Sequence, residues 1–484
     1  MLFNTLSYLA FLAVCVALYW LLPVTGKRAL ILVASLLFYA AWRIEFVLLI
    51  AFSAFVDYYL SLKIHAEKES TRRRLLLLLS LSTNLGLLLY FKYTYFILDN
   101  VHSIGRLFGH SWSFDPGTII LPLGISFYTF LSISYTIDVY RRLVVPERRF
   151  DIYLSYVMFW PHMIAGPILR ASELLPQLKT AAAFRLEDIV AGARAIMIGL
   201  FLKVALADQI SPLVDDAFAT DPGRLSGIDV WTMAFAFGFQ IYFDFAGYSL
   251  VAIGSARLLG VRFPQNFDWP YLATSPRDFW KRWHITLSSW IRDYLYLPLA
   301  GQRFRDRSEG GIDIQPAQAQ SSRLLLALFL SWFIMGLWHG ASWSFAFWGL
   351  WHATLVFGYR VFRNALPGIR GALRSVIGWA LTLPVVMLGW IPFRAGSLEN
   401  SLALLGRTLD LSSYTRISFR ENFYLVTFLL LVGMLLLRAV TSPHVHRSWG
   451  MRMQQLADVA MLSAVMFVVF VFLRPISQFI YFQF

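Results

Sequence analysis

The sequence predicts an all-α protein that crosses a lipid bilayer many times. Hydrophobic residues make up 58% of the 484 residues and charged residues only 14%, whereas an ordinary globular protein has about 25% charged residues. Apolar stretches long enough to cross a bilayer, which takes about 20 residues of helix, recur along the whole chain. A compact soluble protein of this size cannot bury so much apolar surface, so lipid is the predicted solvent for most of the chain.

About a dozen apolar stretches are predicted to be transmembrane helices, including shorter ones that flanking aromatic residues anchor. We expect about 11 to 12 of them in a single integral-membrane domain, with N-terminal helices in 1–117, a core in 118–363 and C-terminal helices in 364–484. The predicted spans are Leu2 to Leu22, Ala29 to Trp42, Phe46 to Ile64, Leu75 to Leu98, Ile119 to Tyr140, Ile189 to Ala207, Val230 to Leu258, Leu324 to Leu337, Ser342 to Val361, Val376 to Ile391, Phe423 to Ala439 and Leu456 to Leu473.

The charge distribution predicts the orientation of these spans. The net charge of +14 comes from short basic clusters between the apolar stretches, a pattern typical of cytoplasmic loops that face anionic lipid and not of nucleic-acid binding. Alternation of the spans places every cluster in the cytoplasm and both termini outside it. The clusters are Lys27-Arg28, Arg72 to Arg74, Arg141-Arg142 with Arg148-Arg149, Arg303-Arg305-Arg307, and Arg370 with Arg374.

Two stretches do not read as simple spans. Asp151 to Pro167 is apolar, but Pro161 and the Gly166-Pro167 pair interrupt a helix, which predicts a re-entrant segment. Arg277 to Ala300 is amphipathic and is predicted to lie in or dip through the cytoplasmic interface. Its apolar face carries Phe279, Trp283, Leu287, Trp290 and Tyr294.

Motifs of soluble enzymes are missing from the sequence. There is no GxSxG elbow, HExxH pair, P-loop or dinucleotide-binding glycine pattern. The single cysteine, Cys15, lies in the first apolar stretch and has no partner for a disulfide, and we predict no metal site. Candidate functional groups are therefore polar residues within the membrane, where they are costly and commonly functional.

His339 is the first candidate. It lies between two apolar stretches, and Gly336, Gly340, Ala341 and Ser342 are predicted to leave room for a group to approach its ring. An imidazole kept out of water stays uncharged and can accept a proton from a hydroxyl or thiol, a role that contributes about 10² to 10⁴-fold to a rate. The alternative is a structural histidine that hydrogen-bonds a neighbouring helix.

His284 and a polar face of one span supply the other candidates. On a continuous helix His284 would share a face with Trp280 and Ser288, although an interfacial histidine with no catalytic role is favoured by the sequence pattern alone. Gln240, Asp244 and Tyr248 lie four residues apart and line one face of one span. A carboxylate there must be protonated, paired or hydrated, and it either orients a catalytic histidine or holds helices together.

Four segments in this order resemble the membrane-bound O-acyltransferase (MBOAT) superfamily, and most closely its bacterial AlgI, PatA and DltB branch, which includes the alginate O-acetyltransferases. The segments are GPILRASELLPQL (166–178), QIYFDFAGYS (240–249), DFWKRWHITLSSWIRDYLYLPLAG (278–301) and LWHGASWSFAFWGLWH (337–352). The family commonly has Asp where this chain has Leu250, so a role for Asp244 cannot be carried over.

The resemblance implies an acyltransferase whose helices surround a central tunnel in a bacterial inner membrane. It implies that His339 and His284 are the catalytic histidines. We expect Trp338, Gln240, Asp244, Tyr248 and Ser288 to line the substrate path. In this hypothesis His339 takes the proton of the acceptor hydroxyl, while His284, Trp338 or backbone donors stabilise the oxyanion.

The resemblance also implies co-substrates and partners. We expect the protein to have no bound cofactor. The acyl donor, an acyl thioester such as acetyl-CoA or an acyl carrier protein, would enter past the basic residues Arg277, Lys281, Arg282 and Arg292, whose charge suits phosphates. The acceptor would be an exported polysaccharide, reached with an extracytoplasmic SGNH-type or lipoprotein partner. A proton-coupled transporter and a non-catalytic scaffold of a polysaccharide secretion complex are the alternatives, although the sequence lacks the internal repeats of many transporters.

Overall fold

Helices form all of the regular secondary structure in the residues that the computed structural model describes, with no β-strand among them. These residues are 3–110, 114, 116–163, 166–180, 182–302, 321–362, 371–440, 451–472 and 480. The helices are α1 (Leu6–Leu21), α2 (Val24–Ala40), α3 (Glu45–Ala66), α4 (Ser70–Leu88), α5 (Thr94–Leu107), α6 (Ile125–Tyr140), α7 (Phe150–Met158), α8 (Trp160–Met163), α9 (Ala171–Thr180), α10 (Leu186–Leu200), α11 (Asp208–Phe218), α12 (Gly227–Leu258), α13 (Pro276–Arg282), α14 (Ile285–Ile291), α15 (Leu297–Leu299), α16 (Ser321–His339), α17 (Trp343–Phe362), α18 (Gly371–Leu388), α19 (Trp390–Arg394), α20 (Leu398–Arg407), α21 (Glu421–Val440) and α22 (Met451–Phe472).

The prediction of an all-α polytopic membrane protein is confirmed. Every predicted span overlaps a helix in the described residues, and seven helical stretches there are long and apolar enough to cross a bilayer. Those stretches are Glu45–Ala66, Ser70–Leu107, Leu186–Phe218, Gly227–Leu258, Ser322–His339, Gly371–Arg394 and Glu421–Ala439. Arg303, Arg305, Arg307 and Arg370 of the predicted cytoplasmic clusters lie outside the described residues.

The chain folds into two units, each assembled from three separate stretches. The first comprises Met1–Gly192, Ala252–Asn266 and His284–Ser331. The second comprises Ala193–Val251, Phe267–Trp283 and Trp332–Phe484. His284 therefore belongs to the first unit and His339 to the second.

A buried polar cluster joins α3 and α4 in the first unit. The carboxylate of Asp57, which is fully buried, accepts hydrogen bonds from the Ser80 hydroxyl at 2.6 Å and from the Asn84 amide at 2.9 Å. Polar groups without water must satisfy one another, so this cluster fixes how the two helices pair.

The predicted interruption after Asp151 is present in the first unit. Helix α7 ends at Met158, Phe159 leaves the helical conformation, and the four-residue helix α8 follows. The backbone N–H of Trp160 at this break donates to the Ser35 hydroxyl at 3.3 Å. Irregular backbone at membrane depth is tolerated where protein groups satisfy it in this way.

Two glycines bring α16 and α17 into close contact in the second unit. A Cβ on Gly336 would overlap the carbonyl oxygen of Phe345, and a Cβ on Gly349 would overlap that of Trp332. Small residues let membrane helices approach until their backbones touch. This crossing sets the position of His339, which lies one turn beyond Gly336.

A Gly349→Ala variant is expected to lower the free energy of unfolding by about 1–3 kcal/mol, because the new methyl group forces the two backbones apart. Gly358→Ala is the matched control on the same helix, since a Cβ there meets no atom within 4 Å. Thermal unfolding of the detergent-solubilised variants measures the difference. Equal midpoints for the two variants would show that the helices do not touch at Gly349.

Candidate active site

His339 ends α16 and is enclosed by aromatic rings of the second unit. Its side chain is nearly fully buried. The rings of Trp338 and Trp348 meet the imidazole edge to face, each with a centroid separation of 4.9 Å, and the Phe393 ring lies at 5.3 Å. These contacts leave the ring few orientations. They hold a potential proton acceptor in a fixed position out of water, as a general base requires.

The space that glycines were expected to leave beside His339 is occupied by the protein itself. Phe345 fills it at both positions, with its backbone against Gly336 and its ring against Gly340. The prediction that these glycines leave room for an approaching group is therefore wrong. The glycines serve the close packing of α16 on α17, which is a common use of small residues between membrane helices.

His284 lies at a sharp turn between two helices, and not within one. Helix α13 ends at Arg282, Trp283 is extended, and His284 has the left-handed backbone angles φ 42° and ψ 56° before α14 begins. The expected helical face shared by Trp280, His284 and Ser288 is therefore wrong. A non-glycine residue in this conformation costs about 1–2 kcal/mol and persists only where its surroundings enforce it, which is common at functional sites.

Asn266 holds the His284 ring in the first unit. The Asn266 side-chain oxygen lies 3.0 Å from His284 Nδ1 and also accepts a hydrogen bond from the Thr286 hydroxyl at 2.9 Å. An amide oxygen only accepts, so Nδ1 carries the proton and Nε2 keeps the lone pair. Neutral His284 is thus suited to accept a proton at Nε2 and unsuited to donate a hydrogen bond to an oxyanion. Ser288, half-buried, donates its backbone N–H to the His284 carbonyl at 3.0 Å.

The face of α12 that carries Gln240, Asp244 and Tyr248 is buried in the second unit. Asp244 forms an ion pair with Lys203 at 2.7 Å, and Lys203 also pairs with Asp208 at 2.8 Å. The other Asp244 oxygen accepts the backbone N–H of Ile480 at 2.7 Å. These contacts support the second of the two readings of Asp244, in which it holds parts of the fold together.

Lys203 is a buried charged residue that the sequence analysis missed. It lies in the π-helical segment Phe201–Ala207, inside a predicted span, and its ammonium group also lies 5.6 Å from the centre of the Tyr248 ring. The sequence did contain a signal for this ion pair. Lys203 lies within an apolar stretch, and Asp208 follows five residues later. Intramembrane charges of this kind are normally paired.

The basic residues fall into two classes by their ion pairs. Arg277 and Lys281 are exposed, and neither forms an ion pair with the described part of the chain. Arg282 pairs with Asp278 at 3.0 Å in the second unit, and Arg292 pairs with Asp293 at 2.6 Å in the first.

Asp293 neutralises part of the positive charge of Arg170 and Arg292 in the first unit. Burial favours a higher pKa for its carboxyl group, but hydrogen bonds from Arg292 and Arg170 and their charges hold that pKa below its usual value. Asp293 therefore stays ionised, and Arg170 and Arg292 share one negative charge.

The apolar face predicted for Arg277 to Ala300 is internal. Phe279, Trp283 and Leu287 are at most 1% exposed, while Trp290 and Tyr294 are also buried. Within the second unit the Trp283 ring packs against those of Phe267 and Trp390 at 5.1 and 4.7 Å. These aromatic residues pack within protein, as core aromatic side chains do.

Comparison with known proteins connects these sites to a family. A model of the membrane-bound O-acyltransferase (MBOAT) family matches residues 148–385, which include α12, His284 and His339. The chain is 38% identical to the probable alginate O-acetylase AlgI of Azotobacter vinelandii, over 84% of this chain and 77% of that protein. It is 32% identical to the peptidoglycan O-acetyltransferase of Helicobacter pylori, over 100% and 98% of the two chains.

A more distant relative is also a transferase, as its name states. The teichoic acid D-alanyltransferase of Bacillus subtilis is 28% identical over 51% of this chain and 61% of its own length. Three observations support the same family. Several helices are long and apolar enough to span a membrane, the matched range contains buried His339, and two of the relatives cover most of the chain. The chain therefore belongs to the membrane-bound O-acyltransferase family and is a multi-pass membrane O-acyltransferase.

Proposed function

We propose that the protein moves an acetyl group from a cytoplasmic acyl thioester to an exported polysaccharide, or to a partner protein that modifies it. The names of two relatives that match most of the chain support this choice, since one is a probable alginate O-acetylase and the other a peptidoglycan O-acetyltransferase. The observation that carries the proposal is the enclosed imidazole of His339 within the family's matched range.

His339 is the proposed general base. It takes the proton from the acceptor hydroxyl as the oxygen attacks the carbonyl carbon of the thioester. A C–O bond forms, the C–S bond breaks, and the departing thiolate takes the proton back from His339. The aromatic rings around His339 keep water from the thioester, which limits hydrolysis.

His284 is the proposed second essential histidine of the reaction. Because Asn266 fixes the proton on Nδ1, we assign Nε2 as an acceptor for a hydroxyl or thiol hydrogen of a substrate. Trp338, Gln240, Tyr248 and Ser288 remain proposed components of the substrate path. Asp244 is assigned to structure through its ion pair with Lys203.

The proposed donor is acetyl-CoA or an acetylated acyl carrier protein, which approaches from the cytoplasm. Exposed Arg277 and Lys281 attract its phosphates, as do the outer guanidinium groups of Arg282 and Arg292. The acceptor lies outside the membrane and is reached with an SGNH-type or lipoprotein partner. In this proposal the protein resides in a bacterial inner membrane, contributes to alginate or other cell-envelope O-acetylation, and has both termini outside the cytoplasm.

The test uses membrane vesicles from the native host, after the gene has been deleted and replaced by wild type or by His339→Ala. Vesicles are supplied with [1-¹⁴C]acetyl-CoA or with ¹⁴C-acetylated acyl carrier protein on the cytoplasmic side. We expect free thiol to appear together with alkali-labile label on polysaccharide or on a protein, in wild-type vesicles only. Comparison of the two donors identifies the co-substrate.

Other outcomes overturn the proposal. If wild-type vesicles release no thiol and transfer no label from either donor, the protein does not have the proposed acyltransferase activity. A proton gradient that drives solute movement without thioester cleavage indicates a transporter. Equal label on polysaccharide in wild-type and His339→Ala vesicles indicates a scaffold whose histidine takes no part in transfer.

A further inference from the structure

His352 has a tautomer fixed by its neighbours. Its imidazole on α17 is fully buried, and the Trp280 indole N–H donates to its Nδ1 at 3.3 Å. Indole nitrogen only donates, so Nδ1 holds the lone pair and Nε2 carries the proton. His352 therefore presents an N–H donor at Nε2, the opposite arrangement to that of His284.

Three buried N–H donors in the second unit have no hydrogen-bond partner in the described parts of the chain. They are Nε2 of His352 and the indole nitrogens of Trp348 and Trp390, whose side chains are at most 1% exposed. Buried donors are almost always paired in native proteins, so three in one place call for an explanation. Glycine at 389 keeps side-chain atoms away from His352 Nε2, since a Cβ there would lie 3.0 Å from it.

The three donors form one cluster next to His339. The Trp348 ring lies 5.0 Å from His352 and 6.2 Å from Trp390, and the latter two rings are 6.3 Å apart. Trp348 also meets the His339 ring edge to face at 4.9 Å. One indole thus contacts both the proposed base and the other donors.

We propose that His352, Trp348 and Trp390 bind the carbonyl oxygen of the acyl group while it is transferred, an inference that rests on the proposed function of His339. When the acceptor oxygen adds to the thioester carbon and its proton passes to His339, the carbonyl oxygen becomes an oxyanion. The N–H groups stabilise that charge, and it returns to the carbonyl as the C–S bond breaks and the thiolate takes the proton. Donors placed where charge develops commonly contribute about 10² to 10³-fold each to kcat.

The test replaces each donor by an aromatic ring without one. His352→Phe, Trp348→Phe and Trp390→Phe are each expected to lower kcat for acetyl transfer by about 100-fold or more. KM for the thioester should stay within about 3-fold, because the donors act mainly on the charge of the transition state. His352→Gln, which keeps an N–H donor, is expected to recover part of the loss.

Trp351→Phe is the matched control. Its indole N–H already donates to the Val385 carbonyl at 3.0 Å, so its removal deletes a structural hydrogen bond and no free donor. We expect its kcat to stay within a few-fold of wild type. His339→Ala is measured in parallel.

The measured rates distinguish an error in the donor cluster from an error in the proposed function. If wild-type protein transfers acetyl and His339→Ala does not, while all three Phe variants keep wild-type kcat, the donor cluster is wrong and the function stands. A rise in KM with unchanged kcat also contradicts the cluster. If wild-type protein transfers nothing, the proposed function itself fails. Should His352→Phe not fold, the two tryptophan variants and His352→Gln still decide the question.

Discussion

A Lys203→Ala variant is expected to accumulate poorly in the membrane and to unfold at a much lower temperature than wild type. The Lys203 ammonium group lies within 2.8 Å of both Asp208 and Asp244, and the side chains of all three are at most 3% exposed. Its removal leaves two buried carboxylates without a counter-charge. Breaking a buried ion pair in this way costs about 3–5 kcal/mol, a large part of the stability of a typical protein.

Membrane abundance and thermal unfolding in detergent measure this effect, and two further variants make it specific. Arg194→Ala removes an exposed ion pair to Asp458 at 3.0 Å in the same unit and should change stability by about 0–1 kcal/mol. Adding Asp244→Asn to Lys203→Ala removes one of the stranded charges and should restore part of the loss. Equal stability of Lys203→Ala and Arg194→Ala would contradict the role given to the buried ion pair.

A His339→Ala variant is expected to insert and fold but to lose acetyl transfer by about 10² to 10⁴-fold, the usual contribution of a positioned general base. The loss should appear in kcat, because the proton moves only as the acceptor attacks. Purified protein in proteoliposomes, supplied with the acetyl donor and with acceptor polysaccharide from the host, gives the rates as release of thiol. His65→Ala is the control, since His65 is exposed at the end of α3 and should leave the rate unchanged. A His339→Ala rate within a few-fold of wild type would remove the histidine from the chemistry.

The membrane-spanning fold was predictable because it depends on local composition. Each apolar stretch of sufficient length must satisfy its own backbone in lipid, and a helix does so without reference to the rest of the chain. The break after Asp151 was equally local, since Pro161 and Gly166 act on their own backbone. Predictions of these features therefore needed no knowledge of tertiary contacts.

The site was predictable only as a set of residues. His339 and His284 were found because polar groups are rare in apolar sequence, but their surroundings come from distant parts of the chain. Phe393 beside His339 and Asn266 beside His284 are brought there by tertiary packing, for which the sequence pattern gives no signal.

Two errors share this origin. The turn at His284 replaced a predicted helix because tertiary contacts overrode the local amphipathic pattern, including the backbone hydrogen bond from Ile285 to the Asn266 carbonyl at 2.9 Å. The glycines near His339 were read as open space because sequence shows the absence of a side chain and not the helix that fills it. Asp244 was left undecided since its partner Lys203 lies 41 residues earlier in the chain, as their numbers show.

The most direct measurement of the central claim, that acyl transfer takes place at His339, is the O-acetyl content of polysaccharide exported by the native host. The chromosomal gene is replaced by His339→Ala, and immunoblotting confirms that wild type and variant are present in the membrane in equal amounts. We predict that the variant exports a normal quantity of polysaccharide from which the ester-linked acetyl has fallen to the level of a gene deletion. Polysaccharide with wild-type acetylation from the His339→Ala strain would contradict the account.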